Sequence, residues 1–248
     1  MTPAAETLEC TEHGRVTVLR INRPERRNAL NTALCDAVRG AVTGSVDGGA
    51  RAIVITGSGT SFCSGADLGW VYGDGFLTAL RAMLGAIVET PVPVIAAING
   101  PAIGAGTQLA VCCDLRVVAP TAVFGVPTAK LGLAADAWTL RRLAMLAGGG
   151  VARRVMLAAQ QVTAAQALTC GLADAEGDLS DALALATHCT ELAPMSIGYS
   201  KRVLNDFGGT DRNEPWEEEE FERCWVSADF AEGQLARREK RKPQFQGR

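Results

Sequence analysis

Residues 53–68 read IVITGSGTSFCSGADL, and residues 93–106 read PVIAAINGPAIGAG. Each begins with an apolar run too continuous for a strand with one wet face, then turns through glycines and small residues. Continuous apolar runs of this length read as buried strands. PVPVIAAI (91–98) reads as such a strand, NGPAIGAG (99–106) as a tight loop and TQLAVCC (107–113) as a helix. Outward from this centre, RVTVLRIN (15–22) alternates like a half-buried strand, and Asn31 is placed to cap a helix ending near Gly44. A helical pattern runs through Phe76, Leu80, Leu84 and Ile87; DLRVVA (114–119) and AVFGVP (122–127) are short strands. Residues 138–159 read as a helix interrupted at Gly148 to Gly150, TAAQALTCGLAD (163–174) stops at Gly171, and DALALATHCTELAP (181–194) is helical. Strands alternating with helices predict an α/β domain, here with polar peripheral helices at the C-terminal end.

The 248 residues are 48% hydrophobic and 21% charged, which excludes a mainly disordered chain. A net charge of −3 argues against bulk nucleic-acid binding. Among eight cysteines there is no C-x-x-C pair, and Cys112 and Cys113 are adjacent. Reduced, buried thiols are expected rather than a disulfide framework or a zinc ribbon. The opening MTPAAETLECTEHGRV lacks the apolar run of a signal peptide. No charge occurs between Glu89 and Asp114, a stretch long enough to cross a bilayer, but its prolines, glycines, Asn99 and Gln108 break any uniform apolar helix. A soluble, cytoplasmic chain with no membrane span is expected.

Only two histidines are present, His13 in a turn between strands and His188 in a helix, and neither is tied to a nucleophile by sequence. Gly104 and Gly106 follow a strand as in a dinucleotide site, yet Leu109 stands at the third glycine position and no acidic residue follows at ribose distance. The two quoted loops remain. Each leads into a helix whose first N–H groups are unpaired, and two such turns can bind an oxyanion if they converge. From the residues alone, two ordinary strand-to-helix turns are the favoured account.

RPERRNAL (23–30), IVITGSGTSFCSGADL, PVIAAINGPAIGAG with CDLRVVA (113–119), AAQALTCGLAD (164–174) and KRKPQF (240–245) occur in this order, and together resemble the enoyl-CoA hydratase/isomerase, or crotonase, superfamily. The resemblance spans essentially the whole chain and is nearest to mycobacterial hydratase-like members associated with fatty-acid and mycolic-acid metabolism. It implies the α/β crotonase (ClpP-like) fold of repeated ββα units, with a core over residues 1–190 and a C-terminal helical region over 191–248 that forms trimers, or dimers of trimers. It also implies a coenzyme A thioester whose carbonyl oxygen is held by the amides of Ala66 and Ala105, the latter replacing the usual glycine.

The resemblance fails where the chemistry is done. Hydratases of this family use two glutamates, one activating water and one protonating the α-carbon; the corresponding positions here are Gln108 and Thr128. Neither side chain is a carboxylate base, and losing one acid–base group costs about 10²–10⁴ in rate. Asp136 stands where some isomerases and dehalogenases of the superfamily place a catalytic aspartate, and equally where a helix N-cap belongs. The resemblance thus implies either a fatty acyl-CoA-binding homologue that does not hydrate, or an active hydratase or isomerase using Asp136. It assigns Arg23, Arg26, Arg27 and Ala29 to coenzyme A. The basic run Arg237, Arg238, Lys240, Arg241 and Lys242 either reaches a neighbouring nucleotide or is a solvated face. Trp70, Tyr72, Phe76 and Trp138 either wall an acyl pocket or pack as core. Asp67 and Asp114 are expected to anchor turns, and Cys63 to be loop packing. No metal and no cofactor beyond the acyl-CoA ligand is expected.

Overall fold

A computed structural model describes residues 7–67, 75–131, 133–206 and 215–248. Strand β1 (Leu8–His13) pairs antiparallel with β2 (Val16–Ile21). β2 continues the sheet in parallel through β3 (Ala52–Gly57), β4 (Val94–Ile98), β6 (Leu115–Val118) and β9 (Ala175–Glu176). A small second sheet orders β5 (Ala102–Ile103), β7 (Val123–Gly125) and β8 (Val162–Thr163).

The continuous apolar strands are explained by burial on both faces. Ile53, Ile55, Val94, Ala96 and Ile98 enter the larger core with α1 (Thr32–Asp47), α2 (Phe76–Glu89) and α3 (Ala105–Cys112). Ala52, Val54, Ile95 and Ala97 point the other way, against Ala182 and Ala186 of α6 (Leu179–Thr190). The remaining helices are α4 (Ala137–Leu157), α5 (Ala164–Cys170), α7 (Pro194–Asn205), α8 (Pro215–Trp225) and α9 (Ala228–Glu239).

Asn31 caps α1 by accepting from Leu34 N at 2.8 Å. The helix runs past Gly44 to Asp47, so the expected end is three residues short. An internal glycine costs only about 1 kcal/mol against alanine, and the true stop is Gly48 followed by Gly49 at φ 91°. His13 is not in a turn but is the last residue of β1, paired with Val16; the turn is made by Gly14 at φ 63°. The 99–106 stretch is not wholly a loop, because it contains β5 and the first residues of α3. The glycine run within α4 interrupts it only at Gly148, at φ 78° and ψ 150°.

The C-terminal helices are tied to the core by a buried cation. Lys201 Nζ of α7 donates to Ile87 O (3.0 Å) and Val92 O (2.9 Å) and pairs with Asp114 Oδ2 at 2.8 Å. Asp114 also accepts from Val94 N at 2.7 Å, which makes it the expected anchor. The chain end folds back: Asp229 accepts from Gln246 N and Gly247 N, and Arg51 donates to Leu192 O at 2.7 Å.

Candidate functional site

The two glycine loops meet. Cys63 N donates to Pro101 O (3.1 Å) and Ile103 N to Cys63 O (2.9 Å), laying one loop along the other. Contact is close enough to require glycine: a Cβ on Gly106 would lie 2.0 Å from Cys63 O, and one on Gly65 2.7 Å from Ile103 O. The same Gly65 Cβ would lie 3.6 Å from Ala105 N, so the residue before Ala66 packs against the start of α3.

Local hydrogen bonding leaves both amides free. Leu30 bridges to Ala66 by donating to Gly65 O and accepting from Asp67 N, each at 2.8 Å. In a parallel bridge these flanking groups are used, and the N–H of the central residue points away. Ala105 is the first residue of α3, whose first intrahelical bond is Gln108 N to Gly104 O at 3.1 Å. Neither Ala66 N nor Ala105 N donates to an acceptor among the described residues. Alanine at 105 keeps its N–H. The Thr107 hydroxyl, a support the sequence did not single out, lies 2.6 Å from Ala102 O and 2.9 Å from Gly125 O and accepts from Gly125 N. It stitches the start of α3 to both short strands.

Gln108 lies one turn along α3 and is 8% exposed. Its Nε2 donates to Asp136 Oδ2 at 2.8 Å and to Thr139 Oγ1 at 3.0 Å. Asp136 is the N-cap of α4, accepting from Thr139 N at 2.9 Å and from Thr139 Oγ1 at 2.7 Å. The aspartate is therefore both a cap and the partner of the glutamine that replaces the first expected glutamate. Thr128 sits half-buried in the turn Pro127–Leu131, where its carbonyl accepts from Leu133 N; its hydroxyl takes no part in the Gln108 network.

The Arg23 side chain is turned inward, 12% exposed, donating to Ala29 O and pairing with Asp67 at 3.3 Å. It braces the loop, and Ala29 is buried beneath it. Arg26 and Arg27 are exposed. Between them and Ala29, Asn28 is fully buried at φ 58°, donating to Ser58 O and Ser61 O and accepting from Arg23 N. Asparagine tolerates that left-handed conformation, which is the one signal by which sequence reading could have found it.

Cys63 is fully buried, and burial pushes its thiol up to about 12, as loop packing requires. Phe76 belongs to the main core at 1% exposure, and Trp138 packs half-buried against it. Trp70 and Tyr72 lie outside the described residues. In the C-terminal basic run, Arg241 is held by Glu232 and Glu239, and its hydrogen bond keeps the Glu232 carboxyl down to about 2. Lys242 pairs with Glu191 at 3.3 Å, while Arg238 and Lys240 are exposed. Among the described residues, no three His, Cys, Asp or Glu side chains are placed to hold a metal, and no helix is long and apolar enough to cross a membrane.

The chain that builds these parallel strands and packed glycine turns matches the enoyl-CoA hydratase/isomerase family profile over residues 11–248. The chain belongs to that family, the crotonase superfamily. It is 49% identical over 238 residues to the probable enoyl-CoA hydratase echA6 of Mycobacterium bovis, covering 96% of this chain and 98% of the relative. It is 34% identical over 259 residues to the crotonyl-CoA hydratase of Syntrophomonas wolfei, covering 98% of each. The fold matches a crystal structure of an enoyl-CoA hydratase from Polaromonas with a TM-score of 0.89 and 28% identity, covering 96% of this chain and 99% of that one.

Proposed function

We propose that the protein binds a fatty acyl-CoA or enoyl-CoA, holding the thioester oxygen between the amides of Ala66 and Ala105, and that it hydrates enoyl thioesters poorly or not at all. The observation that carries this reading is the pair of amides unused among the described residues, with Gln108, not a carboxylate, one helical turn along from Ala105. Two fixed N–H donors aimed at one point stabilise the negative charge that develops on a thioester oxygen. Hydration needs in addition a base for water and an acid for the α-carbon. A glutamine can orient water but cannot take its proton, and threonine is too weak an acid to replace a carboxylic acid near neutral pH.

The second reading, an active hydratase or isomerase with Asp136 as acid or base, is favoured by the nearness of that carboxylate to Gln108. Arg26 and Arg27, exposed beside the site, suit the phosphates of coenzyme A. The thioester is the ligand, and no further cofactor enters the proposal. We place the protein in fatty-acid or mycolic-acid metabolism in the cytoplasm, as the resemblance of its sequence motifs implies. Exposed Trp225 and Phe230 of the C-terminal helices, with Val226 between those helices, support a self-association surface, which we take to be that of a homotrimer or dimer of trimers.

Isothermal calorimetry tests the binding reading. Acyl-CoA is expected to bind more tightly than free coenzyme A or free fatty acid, whereas equal, negligible heats for all three overturn it.

A further inference from the structure

We propose that Thr107 is a positioning residue: its buried hydroxyl locks the Gly104–Ala105 peptide in the orientation that aims the Ala105 amide at the thioester oxygen. The inference rests on the acyl-thioester reading above and names the side chain on which the polarising power of that site depends.

The Gly104 carbonyl and the Ala105 N–H share one trans peptide plane and point in opposite directions. Gly104 O accepts from Gln108 N at 3.1 Å, so it faces along α3, and the Ala105 N–H faces out past the start of the helix. Gly104 sits at φ 56° and ψ −118°, the torsions of the first central residue of a type II′ turn. A Cβ there would meet nothing nearer than Gly65 Cα at 3.9 Å, so the position needs glycine for its torsions and not for want of space. Glycine reaches other torsions readily. A rotation of this plane would break one terminal helix bond, of the kind that frays, and turn the amide away.

Thr107 opposes that rotation. It precedes Gln108 in the first turn of α3 and is fully buried. Its Oγ1 lies 2.6 Å from Ala102 O of β5 and 2.9 Å from Gly125 O of β7, and it accepts from Gly125 N at 3.1 Å. One hydroxyl carries one proton; the nearer carbonyl, Ala102 O, takes it, while Gly125 O accepts from Gly104 N at 2.7 Å. Both flanks of the 104–105 peptide are thereby fastened to Gly125, through Gly104 N before it and through Thr107 after it. Without the hydroxyl, Gly125 N loses this acceptor and the first turn loses its tie to the strands. A donor that must swing into place polarises a carbonyl less than one already fixed.

Difference infrared spectroscopy of hexadecanoyl-CoA, isotope-labelled at the thioester carbon and bound to the full-length chain, tests this. Hydrogen bonds from fixed donors weaken the C=O bond, so the wild type is expected to move its stretching band below the position in water. The band is expected to return toward the solution position in Thr107→Ala and Thr107→Val. It is expected to stay at the wild-type position in Thr107→Ser, which differs from Thr107→Ala by the hydroxyl alone. The alanine and valine variants are also expected to lose about tenfold in affinity for hexadecanoyl-CoA, which is about 1.4 kcal/mol, and nothing for free coenzyme A. Valine keeps the branched shape and alanine relieves crowding, so the pair keeps the test valid if one variant folds poorly. A merely structural Thr107 would lower the melting temperature of both variants and leave the band at the wild-type position, and that result overturns the proposal. A serine variant that behaves like alanine also overturns it, while the wild-type band shift leaves the acyl-thioester reading standing. An unshifted band in the wild type defeats that reading and this inference with it.

Discussion

Introducing a glutamate at position 108 is the obvious way to test the proposed lack of hydratase chemistry, and the structure predicts that this change alone backfires. In Gln108→Glu a carboxylate oxygen replaces the Nε2 that lies 2.8 Å from Asp136 Oδ2. Two charges about 4 Å apart at an effective dielectric of about 20 repel by about 4 kcal/mol, or about three pKa units. The pair would instead share one proton, with an apparent pKa raised from about 4.3 toward about 7.

The sign follows from proton counting. Between those limits the folded variant holds one proton more than the unfolded chain, so its stability falls as pH rises and is lowest above the raised value. Near pH 5 the protonated glutamate still donates to Asp136, and urea unfolding is expected to lie close to wild type. Near pH 8.5 the expected loss approaches about 4 kcal/mol. Asp136→Asn in the same chain is expected to abolish the pH dependence. Hydration of crotonyl-CoA is expected to rise only when Gln108→Glu, Thr128→Glu and Asp136→Asn are combined, because only then is the carboxylate introduced on α3 an available base. An equal destabilisation at both pH values, or no relief from Asp136→Asn, refutes the reasoning.

Ala159 follows α4 at φ 48°, where a Cβ is strained and glycine is favoured. Ala159→Gly is expected to raise the melting temperature by about 1–3 °C, and a lowered value counts against the strain. Lys201→Met strips Asp114 of its cation and two carbonyls of their donor; the expected loss in urea unfolding is about 3–5 kcal/mol, and a change under about 1 kcal/mol would show the anchor to be idle. Sedimentation at micromolar concentration is expected to give a trimer or a multiple of it, and a monomer alone would contradict the assembly.

The fold was largely legible because its strongest signals are local. Two-sided burial of β3 and β4 leaves continuous apolar runs, and the Asn31 cap, the Gly148 break and the Gly171 stop each act within one turn. What escaped was set by distant partners. β5 is two residues long and exists because Val123–Gly125 lies beside it, so nothing in NGPAIGAG announces it. The end of α1 was misplaced because Gly44 resembles a stop that the chain tolerates in mid-helix. At the site, the loops and the capping role of Asp136 could be read from sequence, but not the Gln108 contact, which joins α3 to α4 across 28 positions. The inward turn of Arg23 escaped for the same reason, since its partner Asp67 is 44 residues away.

That contact also bears on the competing readings of the site. A carboxylate offers about four acceptor positions on its two oxygens. Asp136 already commits three, to Thr139 N, Thr139 Oγ1 and Gln108 Nε2. To serve as a base it must accept a substrate or water proton, and the neutral acid then gives up at least one of these bonds or weakens all of them. Each turnover would loosen the first turn of α4 and free the Gln108 carboxamide to rotate. A residue that caps a helix and holds its neighbour is a poor proton shuttle, because both tasks favour a charge that does not change. Asp136 therefore suits a site whose polar groups stay fixed better than one that exchanges protons.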